Sequence, residues 1–148
     1  ARICALSNNT VVDASGSLLT NTLSHRPLLV KPNLSEIYGI FGENADPVVC
    51  ARKLKKAGAR NVIVSMGAQG AIMLGEGGVF LKAAPIQCTA VNTVGAGDCM
   101  VAGFICALLE GAKPEKAFDL AVRTASAKVL CEDFPDREII ENLAVNIT

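Results

Sequence analysis

Tryptophan is absent from the 148 residues, and tyrosine and histidine occur once each. With so few rings, and none interleaved with lysine and arginine, the chain offers no stacking platform for nucleic acid. Charge of either sign is scarce as well: 14 Lys and Arg offset 14 Asp and Glu, and the net charge is zero. That balance favours neither nucleic acid nor an anionic membrane as partner. No C-x-x-C occurs among Cys4, Cys50, Cys88, Cys99, Cys106 and Cys131, so neither a zinc knuckle nor a disulfide ladder is read, and reduced core thiols in a cytoplasmic protein are expected. The longest apolar run, Cys99 to Leu109, is about half of what a bilayer span needs. Ala1-Arg2-Ile3-Cys4 has neither the charged start nor the apolar core of a secretory leader. His25, in Ser24-His25-Arg26-Pro27, has no second histidine with which to share a metal and is expected at the surface.

What the chain has in quantity is apolar side chain: hydrophobic residues make up 51% and charged ones 19%. That is enough to bury the core of one domain of ordinary size, and rich enough to expect a face that more protein covers. Periodicity places a helical remnant and then a polar loop at Ser7-Asn8-Asn9 within the first ten residues. Short buried strands follow at Val11-Val12-Asp13, Leu28-Leu29-Val30 and Val62-Ile63-Val64. Helices are expected over Ser15 to Leu23, over a turn or two from Leu34 to Tyr38, and from Asp46-Pro47 to Gly58 with Val48, Val49, Leu54 and Ala57 as the apolar stripe. Ala71 to Leu74 and Gly78 to Leu81 flank Gly75-Glu76-Gly77 as a hairpin. After a long helix ending near Glu110, a second helix starts at Lys113-Pro114 with Ala117, Leu120, Ala121 and Ala125 on one face, and an amphipathic helix runs from Asp136 to Val145. Strands alternating with helices in this way predict a layered α/β fold with a mostly parallel sheet.

The stretch that carries chemistry is Asn92-Thr93-Val94-Gly95-Ala96-Gly97-Asp98, opening directly into the apolar run from Cys99. A glycine-rich turn entering a helix leaves backbone N–H groups free at the positive end of the helix dipole, which makes an anion site. Asp98 plants a carboxylate there, suited to proton abstraction beside a phosphate. No Lys-Ser or Lys-Thr follows a glycine loop, and Met100 stands where a dinucleotide fingerprint needs its third glycine, so both of those cradles are excluded.

This stretch resembles the second signature of the ribokinase-like sugar kinases of the phosphofructokinase B group. Asn92 makes the 1-phosphofructokinases and tagatose-6-phosphate kinases within that group look most similar. The resemblance continues in order through Val11 to Gly16, Lys31-Pro32-Asn33, Ser65 to Gly70 and the C-terminal helices. It implies a ribokinase-like fold of which residues 1–148 are the C-terminal, nucleotide-binding part. The remaining half would carry the first glycine signature, most of the sugar pocket, and a lid through which the parent protein forms a homodimer. The implied reaction is ATP-dependent phosphorylation of a sugar phosphate, fructose 1-phosphate or tagatose 6-phosphate, with this part inactive when alone. Asp98 would be the general base, and Gly95, Ala96 and Gly97 the anion hole. The alternatives are a nucleotide-binding module without catalysis, or a kinase of the same superfamily for 6-phosphofructose, ribose, a nucleoside or a vitamin.

Three further sets of residues follow from the resemblance, each beside a plainer reading. Asn33 and Glu36, just after a buried strand, would help to hold Mg2+ through waters; read alone they form a helix-capping box. Ser65, Gly67 and Gly70, with Thr93 and Ser126, would bind ATP, although Ser65 to Gly70 also reads as a tight turn. Arg123, among small residues, either stacks on a base or faces solvent. Asp13 is expected to cap the helix after it. Cys99 and Cys106 are expected to share one helix face and core, and the Cys99 thiol either has a lowered pKa at the helix N-terminus or is a small core residue.

Overall fold

The computed structural model describes residues 3–7 and 9–148, which fall into two compact units. One comprises the residues up to Gly67 together with Ala71–Leu81, the other Ala68–Gly70 with Lys82–Thr148. Ala1, Arg2 and Asn8 of the expected N-terminal helix and loop lie outside the described residues, and a single 3-10 turn, Cys4–Leu6, occupies that stretch.

The first unit is built on strands β1 (Val11–Val12), β2 (Leu29–Val30), β3 (Val62–Ser65) and β4 (Ala71–Leu74). With β5 (Phe80–Ala83) they form a five-stranded sheet in the order β1-β2-β3-β4-β5. β1, β2 and β3 are parallel, with Val11 opposite Leu29 and Val30 opposite Val62, whereas β3 and β4 are antiparallel, with Ile63 opposite Met73. The sheet is therefore mixed. A parallel crossover needs roughly a dozen residues or more, and the short Met66–Gly70 link can only turn the chain back on itself.

Three helices complete this unit: α1 (Gly16–Thr20), α2 (Leu34–Phe41) and α3 (Pro47–Ala57). α1 is shorter than expected, and the chain enters a 3-10 turn at Leu23–His25 with Arg26 in a left-handed conformation. α2 is longer, because Asn33 and Glu36 cap it and Ile37 anchors it in the core. α3 starts as expected, with Asp46 Oδ1 accepting from the Val49 amide at 2.8 Å ahead of Pro47. Its buried stripe, however, is Cys50, Ala51 and Leu54; Val49 and Ala57 are exposed. These side chains pack with Val12, Leu19, Val30, Val62, Val64 and Ile72 into one core, each large member contributing about 1.5–3 kcal/mol by leaving water.

The second unit rests on two helices, α4 (Ala96–Leu109) and α5 (Pro114–Val129). They approach closely at Gly103, where an added Cβ would sit 2.7 Å from Thr124 Oγ1 and 2.8 Å from the Leu120 carbonyl. Phe104 and Phe118 are fully buried, alongside Ala117, Ala121 and Ala125. The last helix, α6 (Arg137–Asn142), is shorter than the expected Asp136 to Val145 and buries no residue. The chain beyond it leaves helix geometry to pair with β5: the Lys82 and Thr148 amides each donate to the other's carbonyl at 2.8 and 2.9 Å, and Ala83 bridges Ile147 antiparallel.

Candidate functional site

The residues expected to carry chemistry fall into two groups, one in each unit. In the first, the parallel strands deliver their C-terminal ends to one edge, where open α/β sheets place ligands. Asp13 follows β1 and Lys31 follows β2, and they form an ion pair at 3.1 Å, with the lysine buried and the carboxylate one-third exposed. Asp13 is thus engaged across the strands rather than capping α1, whose N-cap is Ser15 without a side-chain bond.

Next along this edge, Asn33 bridges Ser65 in parallel register, and the Ser65 amide donates to the Pro32 carbonyl at 3.2 Å. Asn33 and Glu36 form a complete capping box: the Asn33 amide donates to Glu36 Oε2 at 2.8 Å, and the Glu36 amide to Asn33 Oδ1 at 2.9 Å. The cap and a cation role are compatible in their donors. Glu36 keeps Oε1 outside the box, and its carboxylate is fixed and half-buried. One free hard oxygen suits an ion such as Mg2+, which retains several waters. No cluster of three or more His, Cys, Asp or Glu that could enclose a metal occurs among the described residues. Gly67, at a φ of 55°, opens the 3-10 turn Gly67–Gln69 after Ser65.

In the second unit, Gly95 is the N-cap of α4 at a φ of 81°, a left-handed conformation that costs an L-residue about 1–2 kcal/mol. This turn aims the first helical amides outward. The Ala96 amide is taken by the Thr93 carbonyl at 3.2 Å, so the N–H groups left without a protein acceptor among the described residues are those of Gly97 and Asp98, with that of Gly95. The Asp98 carboxylate is exposed in the first helical turn and makes no hydrogen bond or ion pair among the described residues. Free donors and a free acceptor therefore share one helix N-terminus. Thr93 is exposed, and Ser126 lies half-buried on α5 with no side-chain hydrogen bond among the described residues. Gly70 has a packing reason of its own: at a φ of 86°, its added Cβ would run into the Ala83 carbonyl.

Three features escaped the sequence. Asn92 folds the approach to the loop, its Oδ1 accepting from the Val94 amide at 3.0 Å and its Nδ2 donating to the Glu132 carbonyl at 2.7 Å. Lys128 is buried at 3% exposure, its ammonium donating to the carbonyls of Asn92, Cys131 and Glu132. The available signal was a lysine on the apolar stripe of α5, in step with Ala121 and Ala125. The third is the pair of Asp13 and Lys31, each at a strand end.

The thiols depart from expectation. Only Cys50 and Cys99 are buried, and all six are free. Cys106 is exposed while Cys99 is buried, so the two share no core. Burial pushes the Cys99 thiol up, against a pull from Lys128 and with a lesser push from the adjacent Asp98 carboxylate, overturning a lowered pKa at this helix end. Arg123 neither stacks nor points free: it pairs with Asp119 at 2.8 Å and donates to the Leu143 carbonyl at 2.8 Å, fastening the C-terminal segment to α5. His25 is half-buried rather than exposed. No described helix is long and apolar enough to cross a membrane.

The scaffold is a ribokinase-like α/β fold. It matches a ribokinase from Thermotoga maritima with a TM-score of 0.82 and 25% identity, over 95% of this chain and 50% of that one. A Staphylococcus aureus protein assigned as a phosphofructokinase gives a TM-score of 0.87 and 36% identity, over 99% of this chain and 50% of that one. In sequence, the pattern of the pfkB family carbohydrate kinases matches residues 2–134, and the chain belongs to that family. Among curated relatives, the 1-phosphofructokinase of Bacillus subtilis is 36% identical over 97% of this chain and 48% of its own length. That of Haemophilus influenzae is 43% identical over 78% of this chain and 37% of its own length. The chain thus spans less than half the length of these relatives.

Proposed function

We infer that this chain is the C-terminal, nucleotide-binding part of an ATP-dependent sugar-phosphate kinase, with fructose 1-phosphate or tagatose 6-phosphate as acceptor. The observation that carries the reading is the N-terminus of α4, where the unengaged carboxylate of Asp98 stands beside the unengaged amides of Gly97 and Asp98. In the reaction, an acceptor hydroxyl oxygen bonds to the γ-phosphorus of ATP as the bond to the β,γ-bridging oxygen breaks, and ADP leaves. The hydroxyl proton passes to Asp98. At the Gly95-Ala96-Gly97 turn the Ala96 N–H is held by the Thr93 carbonyl, so the donors offered to the transferred phosphoryl group are the N–H groups of Gly95, Gly97 and Asp98, which act where charge develops. ATP binding is assigned to Ser65 and Gly67 in the first unit and to Gly70, Thr93 and Ser126 in the second. Asn33 and Glu36 would hold hydrated Mg2+, which spreads phosphate charge when bound.

Nucleotide binding without transfer is the second reading, and the chain's short span of its relatives favours it for this chain alone. Calorimetry with MgATP on the chain and on Asp98→Asn, beside an ADP-release assay with each sugar phosphate, separates the two. Removing a general base costs about two to four powers of ten in rate, while ATP affinity should change little. Turnover unchanged in Asp98→Asn sinks the assigned base. ATP bound with no turnover on either sugar phosphate leaves the binding module.

A further inference from the structure

The first unit has a second edge, where β2 and β3 begin and β4 ends, and positive charge collects there. From Arg52 to Arg60 every charged side chain is Lys or Arg. Arg26, on the turn before β2, lies against the end of α3, its Cγ 3.9 Å from where a Cβ on Gly58 would stand. Arg60 Nε and Nη2 donate to the Glu76 carboxylate at 3.1 and 3.0 Å. The half-buried Lys55 ammonium donates to the Arg60 carbonyl at 2.7 Å and the Gly75 carbonyl at 2.8 Å, which fixes it between the same two segments. Arg60 first, and then Lys55 and Arg26, draw the Glu76 carboxyl below its usual range.

Arg26, Lys55 and Arg60 thus share one carboxylate among the described residues, and donors are left over. Carbonyls take two of the N–H groups of Lys55, and an ammonium has a third. The Arg26 guanidinium is exposed and makes no hydrogen bond or ion pair among the described residues. Its backbone is held at a cost: φ is 51° and ψ is 57°, a left-handed conformation that glycine adopts freely and an L-residue does not, and the following Pro27 restricts it further. The turn alone would be better served by glycine. Strain of this kind persists where the side chain it places has a use.

We propose that this edge is a second anion site, which takes the doubly charged phosphate of a small phosphorylated molecule on Arg26 and Lys55, beside Arg60 locked onto Glu76. A guanidinium presents paired N–H groups that match two phosphate oxygens. A dianion also answers both of the positive charges that Glu76 leaves over, where chloride answers one. The site lies at the end of the sheet away from Lys31, Asn33 and Ser65, and the inference does not rest on the nucleotide reading of the glycine turn.

The test is a titration of the chain with inorganic phosphate, read from backbone amide shifts in two-dimensional NMR, beside sodium chloride at equal ionic strength. Phosphate, and not chloride, should move the amides of Arg26, Lys55, Arg60 and Glu76 along one saturating curve. Movement confined to residues 93–98 would put phosphate at the glycine turn alone and overturn the proposal. No movement in phosphate, or the same movement in chloride, would overturn it too. Arg26→Gly removes the donor and suits the left-handed backbone, so it should fold and bind phosphate at this edge at least about tenfold more weakly. Arg52→Ala, which takes an exposed charge from α3, should keep the parent's affinity to within about twofold, since a charge outside the contact is screened. Unchanged affinity in Arg26→Gly, or an equal loss in both variants, would leave only general attraction to a basic surface, and the assigned site would fall.

Discussion

Cys99 directly follows Asp98 in the first turn of α4, where a helix dipole would ordinarily draw out a thiolate. Burial reverses that tendency. With its thiol pushed up by desolvation and by the neighbouring carboxylate, little thiolate forms near neutral pH, and little of the sulfur can be reached. Cys88 and Cys106 are exposed instead. Brief iodoacetamide treatment of the native chain followed by peptide mapping should therefore find Cys88 and Cys106 modified first, with Cys50 and Cys99 last. Fast labelling at Cys99 would mean that its surroundings open in solution. Asp98, one residue earlier, is exposed and stands outside the packing that buries its neighbour.

At the scale of elements, glycine shows how packing decides. Gly103 sits inside α4 against the backbone of α5, with Leu120 O and Ala121 Cα within 3.0 Å of an added Cβ. Gly39 sits inside α2 with nothing within 4 Å of that position. Gly103→Ala should destabilise by about 1–3 kcal/mol through overpacking, whereas Gly39→Ala should stabilise by about 0.4–1 kcal/mol through the entropy of the unfolded chain. Urea unfolding of both variants measures the contrast. A stabilising Gly103→Ala would show that α4 and α5 lie farther apart than described. The contrast also bears on what was legible in the sequence. Buried strands such as Val62–Val64 and the Asp46-Pro47 helix start declare themselves through local chemistry. So does the glycine turn before Asp98, because a left-handed N-cap demands that residue. The direction of β4 was not legible as periodicity, since apolar runs look alike in parallel and antiparallel sheets. Nor was the stripe of α3, where Cys50 and Ala51 displaced Val49 because the first turn faces outward. The early end of α6 depends on pairing with β5, distant in sequence. Lys128 was legible only as an oddity on an apolar stripe, because its partners are main-chain oxygens that no side-chain pattern reveals.

For the molecule as a whole, acid and base act through different groups. On the acid side, Arg60 donates to Glu76 at 3.1 and 3.0 Å and holds its carboxyl below the usual range. A carboxyl depressed in the folded state contributes stability above its unfolded value, about 4.3, and loses it as pH falls through the folded one. The pair is part-exposed, so the loss is at most about 1 kcal/mol. On the alkaline side, burial raises the thiols of Cys50, in the first unit, and Cys99, in the second. A thiol raised in the folded state contributes stability that is whole below its unfolded value, about 8.5, and is lost as pH climbs from there through the folded value. Lys55, lowered by desolvation, works the other way and regains stability toward its unfolded value of about 10.4, blunting the alkaline fall. Urea midpoints against pH should therefore hold level between about 5 and 8 and drop on both sides. Glu76→Gln should flatten the acid side alone, and Cys50→Ala with Cys99→Ala the alkaline side alone, after allowing for the lower plateau that lost packing brings. An alkaline fall that survives both cysteine changes would assign that limb to groups other than the buried thiols.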